Sequence, residues 1–313
     1  MISARETGRV STIIACALLM LLLSACSSSS TTPAPPAHTQ QLYVTDVVAN
    51  AVYIFPLTAT GAAAPTATIQ GAATGLSSPF GVAVDSSGNV YVANEGSSSI
   101  TEYAAGTSGN VAPTKTISGA STGMLDIRGI AVDSSGNIYV GDTTAHAIWI
   151  FGAAQTGNVA PASSIVGAAT TLSFPGGVAV DASGKVYVGD QTGAAILEWT
   201  AGHTGNVAPD NTVTGVNGAY LLQVANNNIY IAGQSSGVYV FPVSATGAAT
   251  PAQFITGGST TLGAGTRAAA ADASGNIYAA NGSVPKFASG STGNVAPTTT
   301  LTVPTNSEGV TVF

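Results

Sequence analysis

After residue 9 the chain has only two arginines, Arg128 and Arg267. Each stands immediately before a short apolar run, and the same register holds Phe80, Gly176, Tyr220 and Glu308. These six are of five types, so no shared turn requirement explains them. Asp126 lies in the same class of loop. Arginines beside carboxylates can grip an anionic or polyhydroxylated ligand through charged, often bidentate hydrogen bonds; they can equally hold loops together. If they grip a ligand, removing both guanidiniums spares stability.

A second set recurs three residues after a regularly spaced tyrosine: Asp46, Asn94, Asp142, Asp190 and Asn281, with Gly233 as the gap. Carboxylate and amide oxygens suit a hard cation, so Ca2+ is the cofactor these residues could hold. Their strict recurrence favours instead a cap on each hairpin turn. Asp85, Asp133, Asp181 and Asp272 open Asp-x-Ser-Gly turns and read as structural. His146 and His203 fall in loops on opposite faces and His38 lies far upstream, so they build no common metal site. The sequence shows no Ser-His-Asp set, Gly-rich phosphate loop or CxxC.

The elements that must position these residues repeat. Gly129-Ile-Ala-Val-Asp-Ser-Ser-Gly-Asn-Ile-Tyr-Val140 reads as two short strands around a tight turn. Similar words start at Gly81 and Gly177. The anchor tyrosines Tyr43, Tyr91, Tyr139, Tyr187, Tyr230 and Tyr278 are spaced by 48, 48, 48, 43 and 48 residues. A third strand ends in Phe55, Tyr103, Phe151, Trp199, Phe241 or Phe287, read as inter-blade core. Then comes Gly-x-x-x-Pro, from Gly61/Pro65 to Gly293/Pro297, and a fourth strand. In the fifth unit Ala225-Asn-Asn-Asn228 shortens the first turn, and Asn tolerates the positive φ it needs. Six four-stranded units at this period predict an all-β, six-bladed β-propeller over 41–313. The first unit lacks a first strand and the chain ends in a lone one, Gly309–Phe313. The C-terminal strand is therefore expected to complete the first blade and close the ring, since an open array leaves aggregation-prone edges.

Residues 1–25 read as an export signal: Arg5 and Arg9, then an apolar run from Ile13 to Leu23 too short to span a bilayer. Leu23-Ser-Ala-Cys26 resembles the lipobox of bacterial lipoproteins. That resemblance implies lipidation at Cys26, a membrane link through the N-terminal lipid, and a place in the cell envelope; Ser27 favours the outer membrane. Cys16 leaves with the signal, so the remaining chain forms no internal disulfide. Residues 26–40, rich in Ser, Thr, Pro and Ala and uncharged, read as a disordered tether. Removing the signal leaves five cations against thirteen carboxylates, a net charge of −8. So few cations exclude a nucleic-acid partner.

The word Gly-(Val/Ile)-Ala-Val-Asp-x-Ser-Gly-Asn-(Val/Ile)-Tyr-Val resembles the NHL-repeat family of β-propellers. The Asn-x-Arg segment usual in that family has no counterpart in 46–52, 94–100 or 142–148, so its charged partner-reading surface is not carried over. The resemblance implies a non-catalytic binding or scaffold protein that uses one propeller face for an as yet unknown protein, glycan or small polar ligand. The alternative is a metal-dependent lactonase or hydrolase, similar to the gluconolactonase group. Against it, the first strands carry Gly, Ala and Val where metal ligands would have to project.

Overall fold

A computed structural model describes residues 39–234 and 237–313. The signal over 1–25, Cys26 and the tether up to residue 38 lie outside them. Among the described residues no helix is long and apolar enough to cross a membrane.

Gln40–Phe313 forms one unit of six four-stranded antiparallel sheets. Blade 1 is β1 (Gln41–Asp46), β2 (Ala51–Pro56) and β3 (Ala67–Gln70). Blade 2 is β4 (Pro79–Val84), β5 (Val90–Asn94), β6 (Ser99–Tyr103) and β7 (Lys115–Ile117). Blade 3 is β8 (Ile127–Val132), β9 (Ile138–Asp142), β10 (Ala147–Phe151) and β11 (Ser163–Val166). Blade 4 is β12 (Pro175–Val180), β13 (Val186–Asp190), β14 (Ala195–Trp199) and β15 (Asn211–Thr214). Blade 5 is β16 (Ala219–Ala225), β17 (Asn228–Gly233), β18 (Gly237–Pro242) and β19 (Gln253–Ile255). Blade 6 is β20 (Ala268–Ala271), β21 (Ile277–Ala280), β22 (Val284–Phe287) and β23 (Thr299–Leu301). The last strand, β24 (Ser307–Val312), pairs antiparallel with β1, so it supplies the missing first strand of blade 1 and closes the ring.

Burial follows the repeat. All six third-strand aromatics are at most 1% exposed. The apolar clusters bridge neighbouring blades: Tyr43, Ile54 and Ile69 of blade 1 meet Val82, Val92 and Tyr103 of blade 2, and the largest cluster runs from blade 5 through blade 6 to blade 1. β-Branched and aromatic side chains fill both faces of such buried sheets, which is why these strands read as apolar runs. The glycine opening each Gly-Val-Ala-Val word is required by the crowding of first strands around the channel. A Cβ on Gly81 would stand 2.3 Å from Arg128 O, and one on Gly177 2.3 Å from Tyr220 O.

The outer edge is sealed as well. Each Gly-x-x-x-Pro loop lies against the outermost strand of the preceding blade; Gly109 N–H donates to Thr68 O at 2.6 Å and Gly109 O accepts from Gln70 N at 3.2 Å. The equivalent bridge forms at all six blade junctions, including Gly61 to β23. Unpaired edges are thereby covered. Four of these loops carry Asn after the glycine: Asn110, Asn158, Asn206 and Asn294. Each side-chain oxygen caps a single 3-10 turn that follows the neighbouring outer strand, as Asn158 does for Ser121 N at 2.8 Å. The two loops with Ala there, at Ala62 and Ala248, face junctions without such a turn.

In blade 5 the short turn folds as read: Asn226 and Asn227 have φ of 50° and 59°. This suits a two-residue hairpin with both central residues left-handed.

Candidate functional site

Five of the six residues in the register ahead of the Gly-Val-Ala-Val words, all but Arg267, lie inside the first strands rather than before them. β4, β8, β12 and β16 start one or two residues earlier than the apolar word, and each carries a register shift at that point. β24 shows the same irregularity opposite Val44 and Asp46. A bulge re-aims the side chain it carries. Here it gathers Phe80, Arg128, Tyr220 and Glu308 at one end of the channel. Arg267 joins them from the residue before β20, while Gly176 adds no side chain.

Tyr220 is fully buried and Phe80 is 4% exposed; their rings meet edge-to-face at 5.7 Å. The Arg128 guanidinium lies over Phe80, Phe174 and Tyr220, 5.2–6.0 Å from their centroids. It donates through Nη1 to the Tyr220 hydroxyl. Its Nη2 is 2.8 Å from Glu95 Oε1 and 3.3 Å from Asp126 Oδ2. From the opposite side of the ring Arg267 stacks on Tyr220 at 5.5 Å and approaches Glu308 Oε2 with Nε at 3.3 Å. So Asp126, Arg128, Tyr220, Phe80, Arg267 and Glu308 do come together. They form a packed plug, with both arginines already paired, rather than an open mouth lined by free donors.

Burial raises the Glu95 carboxyl above its usual range; Arg128 pulls it back and Asp126 pushes it up again. Burial also raises Glu308, against the pull of Arg267. The Tyr220 hydroxyl is raised by burial too. Below the plug a cavity of about 200 Å³ begins at Gly81, Gly129 and Gly309 and is lined by the inner strands. A second cavity, about 220 Å³, shares Val84, Val132, Val180 and Phe313 with it and reaches Asp85, Asp133 and Asp181 on the other face.

The recurring Asp/Asn set tethers the loops that carry this plug. Asp142 accepts from Thr144 N and Ala145 N of its own turn, and from Leu125 N at 2.7 Å in the loop before β8. Asp190 likewise accepts from Gly193 N, Ser173 N and Phe174 N. Asp46 accepts from Val48 N and Ala49 N, and from Thr305 N and Asn306 N ahead of β24. Asn94 accepts from Ser77 N, and Asn281 donates to Thr261 O. The oxygens of Asp46, Asn94, Asp142 and Asp190 are thus engaged by backbone donors, whereas Asn281 ties its loop through its amide nitrogen and blade 5 has only Gly233 there. Among the described residues no group of three or more His, Cys, Asp or Glu is arranged to hold a metal ion.

On the opposite face Asp85 accepts from Ser87 N, Asn89 N and the Tyr91 hydroxyl, and Asp133, Asp181 and Asp272 repeat the pattern. Burial, then Asp133, pushes the Tyr139 hydroxyl up to about 12. Burial alone would raise the Asp181 carboxyl, yet hydrogen bonds from Ser183, Tyr187 and backbone N–H groups bring it below its usual range. His203 pairs with Asp210 at 3.1 Å, away from the plug. Cys26 lies outside the described residues.

Two members of the plug escaped the sequence reading. Phe174 sits two residues upstream of Gly176, the register residue of blade 4, ahead of Pro175. Glu95 follows Asn94, where the other blades carry Val47, Thr143, Gln191, Gln234 and Gly282; its lone charge at that position is the available signal.

The family model described as NHL repeat matches residues 125–151, from the loop before β8 to the end of β10. A chain of the crystal structure of a nidogen/laminin complex superposes with a TM-score of 0.61 at 16% identity, over 87% of this chain and 98% of that one. A functionally unknown protein from Desulfotomaculum acetoxidans gives 0.58 at 12% identity, over the same shares. No curated protein matches the sequence. With a matched repeat in blade 3 and that unit's plan in all six blades, the chain is an NHL-repeat-like six-bladed β-propeller.

Proposed function

We propose that this protein is a non-catalytic binding lipoprotein of the bacterial cell envelope. A lipid on Cys26 holds it to the membrane, and the face bearing the Arg128–Tyr220 plug meets a protein or glycan partner. One observation carries the reading: residues that break the repeat are concentrated at one end of the channel. The other face repeats its Asp-x-Ser-Gly turns in four blades. The nidogen/laminin chain offers a precedent for a propeller of this architecture within a complex. A metal-dependent hydrolase would need open oxygen ligands at the channel; Asp46, Asp142 and Asp190 instead serve backbone N–H groups.

Two measurements test this. Cys26→Ser should move the protein from the membrane to the soluble fraction, and a variant that stays with the membrane overturns the anchor. Arrays of peptides and glycans probed with the purified protein should show ligands whose capture is lost in Glu95→Gln or Arg128→Met. Capture that survives both changes overturns the assignment of the binding face.

A further inference from the structure

Three large apolar side chains are exposed among the described residues: Val48, Val111 and Leu125. Val111 sits in a Gly-x-x-x-Pro loop. The other two, 65% and 59% exposed, stand on the plug face, in the turn after β1 and the loop before β8. The repeat serves as an internal control for both. Where blade 1 has Val48, blades 2, 3 and 4 have Gly96, Thr144 and Thr192; where Leu125 stands, the neighbouring loops have Ser77 and Ser173. The fold therefore demands neither. Blade 2 connects them. Asn50 Oδ1 accepts from Ser78 N at 2.7 Å, Glu95 N–H donates to Ser78 O at 3.1 Å, and Ser98 Oγ donates to Leu125 O at 2.6 Å. Val48 and Leu125 thus flank one hydrogen-bonded strip, and that strip carries Glu95 and Asp126.

Charge indicates what covers it. Glu95 and Asp126 converge on a single nitrogen, Arg128 Nη2, so one guanidinium serves two carboxylates. Both keep solvent access, at 30% and 24% side-chain exposure. The strip lacks one positive charge, on a chain of net charge −7. An incoming cation would relieve the carboxylate pair, whereas an incoming anion would meet both. Exposed apolar groups rimmed by such charge are characteristic of protein docking sites.

We propose that the strip from Val48 across Glu95 and Asp126 to Leu125 docks a basic, partly apolar polypeptide segment. A lysine or arginine of the partner approaches Glu95 and Asp126 while apolar side chains cover Val48 and Leu125. This rests on the reading of the plug face as the binding face and names its partner's chemistry: polypeptide, and cationic. It differs from the sequence-based expectation of an anionic or polyhydroxylated ligand, because each arginine already faces a carboxylate.

The test uses fluorescence anisotropy of a short labelled peptide of lysine, leucine and serine, and of a twin with glutamate for lysine. Physiological ionic strength, with a screening length of about 8 Å, suppresses long-range attraction to the acidic chain. The lysine peptide should bind and the glutamate twin should not. Leu125→Ser, Val48→Thr and Glu95→Gln should each weaken binding at least about fivefold, a loss near 1 kcal/mol, and Val111→Ser should leave it unchanged. Failure of the lysine peptide to bind, or equal binding by all four variants, overturns the proposal. Binding of the glutamate twin that is lost in Arg128→Met overturns the basic partner while keeping the face. Binding that no plug-face change alters overturns both.

Discussion

The outer rim and the channel plug are built on the same six blades and use sequence in opposite ways. The rim repeats: a Gly-x-x-x-Pro loop bridges every junction, and an Asn caps a 3-10 turn wherever that turn exists. The plug does not repeat: Phe80, Arg128, Gly176, Tyr220, Arg267 and Glu308 occupy one register with five residue types. Repetition marks what every blade needs in order to pack against its neighbour. Departure from it marks what only one molecule-wide site needs. The separation is incomplete, since the plug also packs: Arg128 touches three rings and two carboxylates.

The strongest way to break this comparison is to remove the element both regions depend on. Deleting residues 308–313 removes Glu308 from the plug and most of β24 from blade 1. The protein should aggregate or lose cooperative melting, seen by size-exclusion chromatography and calorimetry; a monomer that melts unchanged would refute ring closure. Next is the rim. Gly119 has φ of +112°, and an added Cβ would lie 2.6 Å from Asn158 Oδ1. Gly119→Ala should cost about 2–3 kcal/mol from strain and clash. Adding Asn158→Ala should return part of this loss, because the clashing atom is gone while the backbone strain stays.

The plug should respond more weakly but measurably. Arg128→Ala leaves Glu95 and Asp126 facing each other without their cation and removes three cation–π contacts. A loss of about 2 kcal/mol, or roughly 4–8 °C in melting temperature, is expected. This departs from the sequence-based expectation that the arginines could be removed with stability spared; unchanged melting would restore it. The smallest effect is on pH. Burial holds the Glu308 carboxyl above its unfolded value, so the folded state binds the proton more tightly than the unfolded state does. The wild type should therefore gain stability relative to Glu308→Gln as pH falls from neutral through the raised folded value to the ordinary glutamate range near about 4.3. Paired thermal melts across that window check the sign, and a gap that widens in the opposite direction would contradict it.

Much of the fold was legible because its signals are local or periodic. The tyrosine spacing counted blades, the Asn-Asn-Asn turn explained the short fifth unit, and the missing first strand of blade 1 foretold β24. The plug was legible only as a register. Side chains there are aimed by bulges, and the bulge position depends on how each first strand pairs with its neighbour, which local pattern does not show. Hence nothing local marks Phe174, and the sequence leaves Arg128 open between gripping a ligand and holding loops together. That Tyr220 from blade 5 lies between arginines of blades 3 and 6 follows from ring geometry and from no spacing along the chain. The Asp/Asn set was open to two readings because one residue type serves cations and turns alike, and only the backbone donors around Asp142 and Asp190 show how it is used.

Closure by β24 also bears on the order in which the molecule can form. Most blades draw their four strands from one continuous stretch, so they can assemble and dock one after another. Blade 1 cannot: the Thr45 hydroxyl that accepts from Gly309 N waits for a partner 264 residues away. Until then β1 presents a bare edge of unpaired backbone groups around Leu42, Tyr43 and Val44. The slow, entropy-limited event in folding is thus the joining of the two ends, and a chain still being synthesised would hold that edge open until its last strand arrived.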